Sequence, residues 1–283
     1  VTPEVYGYGF NLPYAKRLLE NASYGDVLEI PMEYIEPGVV QEGLSDVLYR
    51  DVLAEYATPH TNNAARNNNL ELSCAAVNGL ILYPGDIFDY NVVVGKRTAE
   101  RGYQAADAYS GGETVKELGG GICQVSTTLY NAVLKAELEV TERSNHSMIV
   151  TYVKPSMDAA IAGDYKDLRF VNNQDLPIYI EGYTVGKNVY FNIYGHETRP
   201  ANRVVTYESE VISQQDPGTQ FVATGDPVGH IASPQGKHVG YVARLWKVVT
   251  IDGVEESREI FNKSTYKASP KIVNVGTASP DPN

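Results

Sequence analysis

Cysteine and tryptophan are scarce in this sequence: 283 residues include two cysteines, Cys74 and Cys123, and one tryptophan. Two cysteines exclude a disulfide-dense scaffold and the zinc sites that need two cysteine pairs. They leave two alternatives open, a single bridge between them or two free thiols. Walker and dinucleotide-binding fingerprints are also missing. We therefore predict no metal and no cofactor.

Basic residues are outnumbered, with 23 Lys and Arg against 35 Asp and Glu, for a net charge of −12. Because affinity for a phosphate backbone comes from clustered Lys and Arg, we predict no nucleic-acid partner. No apolar run reaches the roughly 18–20 residues that a transmembrane helix needs. The start at Val1 has neither the basic nor the apolar part of a signal peptide. We expect any leader or membrane anchor to lie outside these residues.

Tyrosine is abundant, at 21 residues, while the apolar and charged fractions of 43% and 20% are those of an ordinary globular chain. The length fits two domains, or two and a fragment. Tyrosine rings suit the binding of sugars and peptides, because they offer an apolar face and a hydroxyl. They equally suit half-buried positions in a β-rich protein.

Hydrophobic periodicity and turn residues predict an α+β fold in the first two thirds of the chain. The predicted helices cover residues 12–21, 44–56, 63–78 and 125–134. The predicted strands cover residues 26–32, 79–86, 147–153, 168–171, 177–181 and 188–194. The glycine-containing residues 111–121 are predicted to form a loop.

After Arg199 and Pro200 the helical period disappears, and strand-like runs separated by Gly, Pro and Asp-Gly continue to residue 276. Asp252-Gly253 between two such runs predicts a hairpin. We therefore predict four parts: residues 1–42, the end of an upstream domain; 43–198, a mixed helix and strand catalytic domain; 201–277, an elongated all-β module; and 278–283, a tail.

Cys123 follows three glycines, Gly119 to Gly121, at the predicted start of a helix. Glycines let a backbone approach a substrate closely, and helix N-terminal N–H groups favour a thiolate. This pattern predicts a cysteine nucleophile, with the amides of Cys123 and Gln124 as an oxyanion hole. The same glycines can also serve only the packing of a helix on a strand.

His146 precedes an apolar run and is the predicted partner of the Cys123 thiol, as general base. Its second ring nitrogen needs an orienting group, for which Asp158 is the first choice and Asp167 the second. A histidine satisfied at the end of a strand is the alternative. Cys74, in a mostly apolar helix, is predicted to be a buried small residue.

Several short motifs together give a resemblance to the VanW domain family over about residues 67–194. They lie at residues 77–79, 83–88, 94–95, 102–103, 119–131, 146–147, 158–159 and 167–170. Asp89-Tyr90-Asn91 departs from the common Ser-Phe-Asn, and Ser156 stands where Gly is frequent. Residues 8–37 resemble the end of the peptidoglycan-binding domain that often precedes VanW domains. The β module resembles the G-five domain of wall-associated proteins.

The resemblance implies a peptidoglycan L,D-transpeptidase of a Gram-positive cell wall, extracellular or membrane-anchored. Its partners would be stem peptides and glycan. Cys123, His146 and Asp158 would be catalytic. The residues predicted to contact the substrate are Gly120, Gly121, Gln124, Ser126, Arg143 and Ser147. Two other functions stay open: a cysteine peptidase or amidase acting on wall peptides, and a non-catalytic wall-binding or glycopeptide-response protein.

Overall fold

The computed structural model describes residues 7–35, 48–110, 113–163 and 165–278, and these residues are mostly β-strand with few helices. The chain divides into two compact units, residues 1–48 and 49–283. Within the described ranges, no helix combines the length and the apolar character that membrane crossing requires.

The first unit contains strand β1 (Gly7–Phe10), helix α1 (Leu12–Glu20) and strand β2 (Met32–Ile35). The two strands pair antiparallel. Asn11 caps the helix, because its side chain accepts the Tyr14 N–H at 3.0 Å. The predicted helix is confirmed. The predicted strand over residues 26–32 is wrong, since pairing with β1 begins only at Met32.

The second unit has three α-helices within the described residues: α2 (Ala64–Val77), α3 (Tyr90–Val94) and α4 (Cys123–Lys135). Its strands are β3 (Asp51–Pro59), β4 (Leu80–Leu82), β5 (Ile87–Asp89), β6 (Ala105–Ser110), β7 (Glu113–Leu118), β8 (Glu139–Arg143), β9 (Leu168–Val171), β10 (Ile178–Val185), β11 (Asn188–Gly195), β12 (Arg203–Gln215), β13 (Thr219–Pro227), β14 (Ile231–Gln235), β15 (Gly240–Ile251), β16 (Val254–Tyr266) and β17 (Lys271–Ala278).

A four-stranded antiparallel sheet, in the order β3-β11-β10-β4, packs against α4 and α2. Burial alternates strictly along β11, where Val189, Phe191 and Ile193 are buried and their neighbours are half-buried. The predicted hairpin of β10 and β11 is confirmed. The helix predicted over residues 44–56 is wrong at residues 51–56, which form β3 and pair with β11. Its residues 44–47 lie outside the described residues.

Helix α4 lies at the centre of the core. Every side chain from Gln124 to Leu134 is buried, so the helix is covered on all sides. Val125, Leu129 and Val133, predicted to share one face, are completely buried. The position of this helix fixes the site, because its first residue is Cys123.

A three-stranded sheet, in the order β5-β9-β8, and the hairpin of β6 and β7 complete this part of the unit. Two predictions are corrected here. Residues 113–118 form β7 instead of a loop, while residues 111 and 112 lie outside the described residues. Residues 147–153 form no strand, although Met148 and Val150 are buried as the alternation suggested. They have no strand to pair with, so the alternation reflects contact with the core.

The β module contains two three-stranded sheets, in the orders β12-β15-β16 and β13-β17-β14. The predicted turn between β15 and β16 is present, and Asp252 and Gly253 both have positive φ, at 51° and 78°. Leu245 of this module is fully buried in the same hydrophobic core as helix α4. The first of these sheets is therefore packed directly on the domain that carries Cys123. The predicted tail is described only at Ala278, the last residue of β17.

Candidate active site

The glycine loop before α4 has a conformation that needs glycine. Gly119 and Gly121 have φ of 79° and 104°, which favours glycine over other residues. A β-carbon at Gly120 would lie 2.3 Å from the carbonyl oxygen of Ala106, which is backbone and cannot turn aside. The loop therefore passes close to β6 and delivers the chain to the first turn of α4.

Cys123 is a free, partly exposed thiol at the first residue of α4. No side chain caps this helix start, so its N–H groups and partial positive charge act on the first turn. The Ile161 N–H donates to Cys123 Sγ at 3.4 Å. Cys74 is also free but is only 2% exposed, and burial raises the pKa of its thiol to about 12. The two cysteines are not bridged.

The imidazole of His146 is held by Asp158. His146 Nδ1 lies 2.7 Å from Asp158 Oδ2, and the His146 backbone N–H donates to the same oxygen at 2.7 Å. The other ring nitrogen is left for the Cys123 sulfur, with which the ring forms a hydrogen bond. Asp167, the second choice, instead accepts the N–H groups of Asn91 and Leu168.

Two further side chains hold the other oxygen of Asp158. Arg143 Nη2 donates to Oδ1 at 2.9 Å, and the Tyr266 hydroxyl donates to Oδ1 at 2.5 Å. Arg143 Nε also donates to the Asp158 carbonyl at 2.6 Å. The Asp158 side chain is only 1% exposed, so its charge is balanced entirely by these donors and by His146.

The charges of these three groups favour a thiolate and an imidazolium. Burial alone raises the pKa of Cys123, but the hydrogen bond and the charge of His146 lower it below the usual thiol value. Burial lowers the pKa of His146, yet Asp158 and Cys123 raise it to about 9. Burial raises the pKa of Asp158, and the His146 and Arg143 contacts lower it to about 2. An ion pair of Cys123 and His146 follows at neutral pH.

Three cations surround the thiol in a chain that is acidic as a whole. Arg97 and Lys166 interact electrostatically with Cys123. The Arg66 guanidinium lies beside the glycine loop, where a β-carbon on Gly121 would come within 2.9 Å of Arg66 Nη1. The local field therefore favours an anionic group next to the sulfur.

Three of the predicted substrate contacts face protein groups instead. Gln124 is 1% exposed, and its amide donates to Thr58 Oγ1 at 2.9 Å. Ser126 is fully buried and donates to the Ala159 carbonyl at 2.7 Å. The Arg143 side chain is 7% exposed and holds Asp158. These side chains support the site from behind, because their polar atoms are already paired.

The remaining predicted contacts are Gly120, Gly121 and Ser147. Gly120 is buried against β6, whereas Gly121 and Ser147 are partly exposed. The predicted oxyanion hole also changes, because the Gln124 N–H donates to the Gly121 carbonyl at 2.9 Å. The Cys123 N–H is the member of that predicted pair that keeps this role.

Ile161, Tyr266 and Tyr152 belong to the site but were not predicted. Tyr152 is buried beside Thr127, and burial together with the Cys123 charge raises its pKa. Ile161 acts through its backbone, which no residue type announces. Tyr266 is 108 residues from Asp158 in sequence. Only the pairing of strands across the module brings it there.

Comparison with known proteins identifies both parts of the second unit. Residues 65–194 match the family model described as VanW like protein, and residues 235–278 match that of the G5 domain, the G-five family named above. The chain carries a VanW-like domain followed by a G5 domain. The VanW-like match contains Cys123, His146 and Asp158, and the G5 match contains Tyr266.

Two curated relatives are similar to this chain. It is 36% identical over 171 residues to the uncharacterized protein YoaR of Bacillus subtilis, which covers 60% of this chain and 56% of YoaR. It is 28% identical over 113 residues to the vancomycin B-type resistance protein VanW of Enterococcus faecalis, covering 38% of this chain and 41% of that protein. The chain thus spans about half the length of these relatives.

A solved G5 domain of IgA1 protease is 26% identical to this chain. It covers 27% of this chain and 93% of the solved domain, with a TM-score of 0.21.

Proposed function

We propose that the VanW-like domain is a cysteine acyltransferase, a peptidoglycan L,D-transpeptidase that cross-links stem peptides in the cell wall. The observation that carries this proposal is the partly exposed Cys123 thiol, hydrogen-bonded to an imidazole whose other nitrogen is held by the buried Asp158. Nucleophile, base and orienting group in this order form the arrangement that acyl transfer requires.

In the first half-reaction, the Cys123 thiolate attacks the carbonyl carbon between the third stem residue and the terminal D-Ala. The Cys123 N–H stabilises the resulting oxyanion. The C–N bond then breaks, His146 donates its proton to the departing amine, and D-Ala leaves a thioester on Cys123.

In the second half-reaction, the side-chain amine of a neighbouring stem attacks the thioester. His146 accepts the proton that the amine loses, the C–S bond breaks, and the thiolate is regenerated. The new amide joins two third-position residues, with no net consumption of a co-reactant.

The charge around the thiol supports this class of donor. A tetrapeptide stem ends in a carboxylate one residue from the bond that breaks, and Arg66, Arg97 and Lys166 provide positive charge there. The similarity to a protein named for vancomycin resistance supports a wall substrate. We propose an extracellular location, in the wall or anchored to the membrane, where stem peptides and glycan are the partners.

Mass spectrometry of purified tetrapeptide muropeptides incubated with the full chain tests this function. We expect release of D-Ala and formation of dimers joined through two third-position residues. Cys123→Ala should abolish both, while Cys74→Ala, which alters a buried thiol away from the site, should retain them. Hydrolysed monomers alone would identify an amidase or peptidase, and binding without turnover would identify a non-catalytic wall protein. Either result contradicts the proposal.

A further inference from the structure

Strand β16 of the module presents alternate residues to the rear of the candidate site. Asn262 is half-buried and Ser264 and Tyr266 are buried, whereas Lys263 and Thr265 between them are exposed. Because side chains alternate along a strand, the first three share one face. This face lies against the segment that carries Asp158.

Tyr266 joins two parts of that segment. Its hydroxyl donates to Asp158 Oδ1 at 2.5 Å and accepts the Ser156 N–H at 2.7 Å. Tyr266 is 2% exposed, so water does not compete for the hydroxyl. The hydroxyl thereby links the backbone of residue 156 to the carboxylate that holds His146.

Ser264 and Asn262 add contacts on either side. Ser264 Oγ accepts from Arg143 Nη1 at 2.9 Å, and Arg143 also donates to the Asp158 carboxylate. Asn262 donates to the Ser156 carbonyl at 3.2 Å. Ser156 has a φ of 66°, a conformation unfavourable for a residue with a side chain. Its N–H and carbonyl are both held by β16.

We propose that Tyr266 is a positioning residue of the acyl-transfer site, through which the G5 module forms part of the catalytic unit. The chemical step rests on the function proposed above, but the positioning of Asp158 does not depend on the substrate. With Oδ1 held by Tyr266 and Arg143, the carboxylate keeps Oδ2 directed at His146. Loss of the hydroxyl frees one side of the carboxylate and leaves the buried Ser156 N–H without this acceptor.

Iodoacetamide alkylation of Cys123 in the full chain, followed by peptide mass spectrometry across a pH series, tests the proposal. For Tyr266→Phe we expect the pH of half-maximal rate to rise by about one unit and cross-linking to fall about tenfold, the size of one hydrogen bond to a charged group. Tyr207→Phe is the matched control. Tyr207 lies in the same sheet with its ring against Phe261, away from Asp158, and we expect no shift.

A folded Tyr266→Phe protein with the wild-type alkylation profile would overturn the proposal. If that variant does not fold, Ser264→Ala decides: it removes the Arg143 contact alone and should give a smaller rise, and an unchanged profile again overturns the proposal. Failure of the proposed function gives a different result. The wild-type chain would then form no dimers, while the profile would still shift in the variant.

Discussion

His146 Nδ1 and the His146 backbone N–H both contact one oxygen of Asp158, each at 2.7 Å. The carboxylate therefore fixes the ring and the chain that carries it at the same time. Because Nδ1 is committed to Asp158, the other nitrogen is the one available to Cys123. This geometry determines the tautomer of neutral His146 and stabilises its protonated form.

Alkylation should distinguish the two cysteines. Cys123 is partly exposed with a lowered pKa, whereas the pKa of buried Cys74 is about 12. We expect iodoacetamide to modify Cys123 first, with a half-maximal rate below the ordinary thiol pKa of about 8.5. Time-resolved peptide mass spectrometry measures both rates in one sample. Equal rates, or faster labelling of Cys74, would contradict an activated thiolate.

Replacement of Asp158 by Asn should impair the proposed cross-linking far more than substrate binding. An amide can hold the ring through its oxygen but cannot stabilise the imidazolium, so kcat should fall about a thousandfold with little change in KM. The pH of half-maximal Cys123 alkylation should also rise. Asp167→Asn is the control, since Asp167 contacts Asn91 and not the imidazole. Equal losses in the two variants would contradict the orienting role of Asp158.

The short motifs near the site were predictable because their constraints are local. Three glycines before Cys123 indicated a tight approach and positive φ, and the structure has both at Gly119 to Gly121. The position of Ser156 shows the same relationship. Glycine is frequent there in the resembling family, and the φ of 66° explains that preference.

The remaining elements depend on partners that are distant in sequence. Residues 51–56 were predicted to be helical but form a strand because β11, far along the chain, pairs with them. The alternation of Met148 and Val150 predicted a strand where none forms. Gln124 and Ser126 were expected to face a ligand, but α4 is covered on all sides and their polar atoms find protein partners. The Tyr266 contact requires the whole module to be in place.

Gly120→Ala should destabilise the chain without altering any polar group of the site. The new β-carbon would lie 2.3 Å from Ala106 O and 2.5 Å from its carbonyl carbon, so backbone must move. We expect a loss of about 3 kcal/mol in the free energy of unfolding. Gly225→Ala is the control, because a β-carbon there meets open space at an ordinary φ. Urea unfolding measures both, and equal stabilities would show that the loop yields easily.

Glu137 connects the end of α4 to the module, because its carboxylate pairs with Arg203 at 2.5 Å and with Lys247 at 2.9 Å. Burial raises the pKa of Glu137, but these two cations lower it to about 2. Its folded pKa is below the unfolded value of about 4.3, so its stabilisation is present above that pH and is lost as the pH falls through about 2. Glu137→Gln should therefore cost about 2 kcal/mol at pH 7.

The difference in unfolding free energy between wild type and Glu137→Gln should shrink as the pH falls from 7 to 2.5, in urea titrations at each pH. Glu255→Gln is the matched control, since exposed Glu255 pairs with Arg258 at the surface and should change stability by less than about 0.5 kcal/mol. A loss that is equal at both pH values would contradict the charge interaction and attribute the effect to packing. The predicted pH dependence arises because protonation of Glu137 removes the same charge as the substitution does.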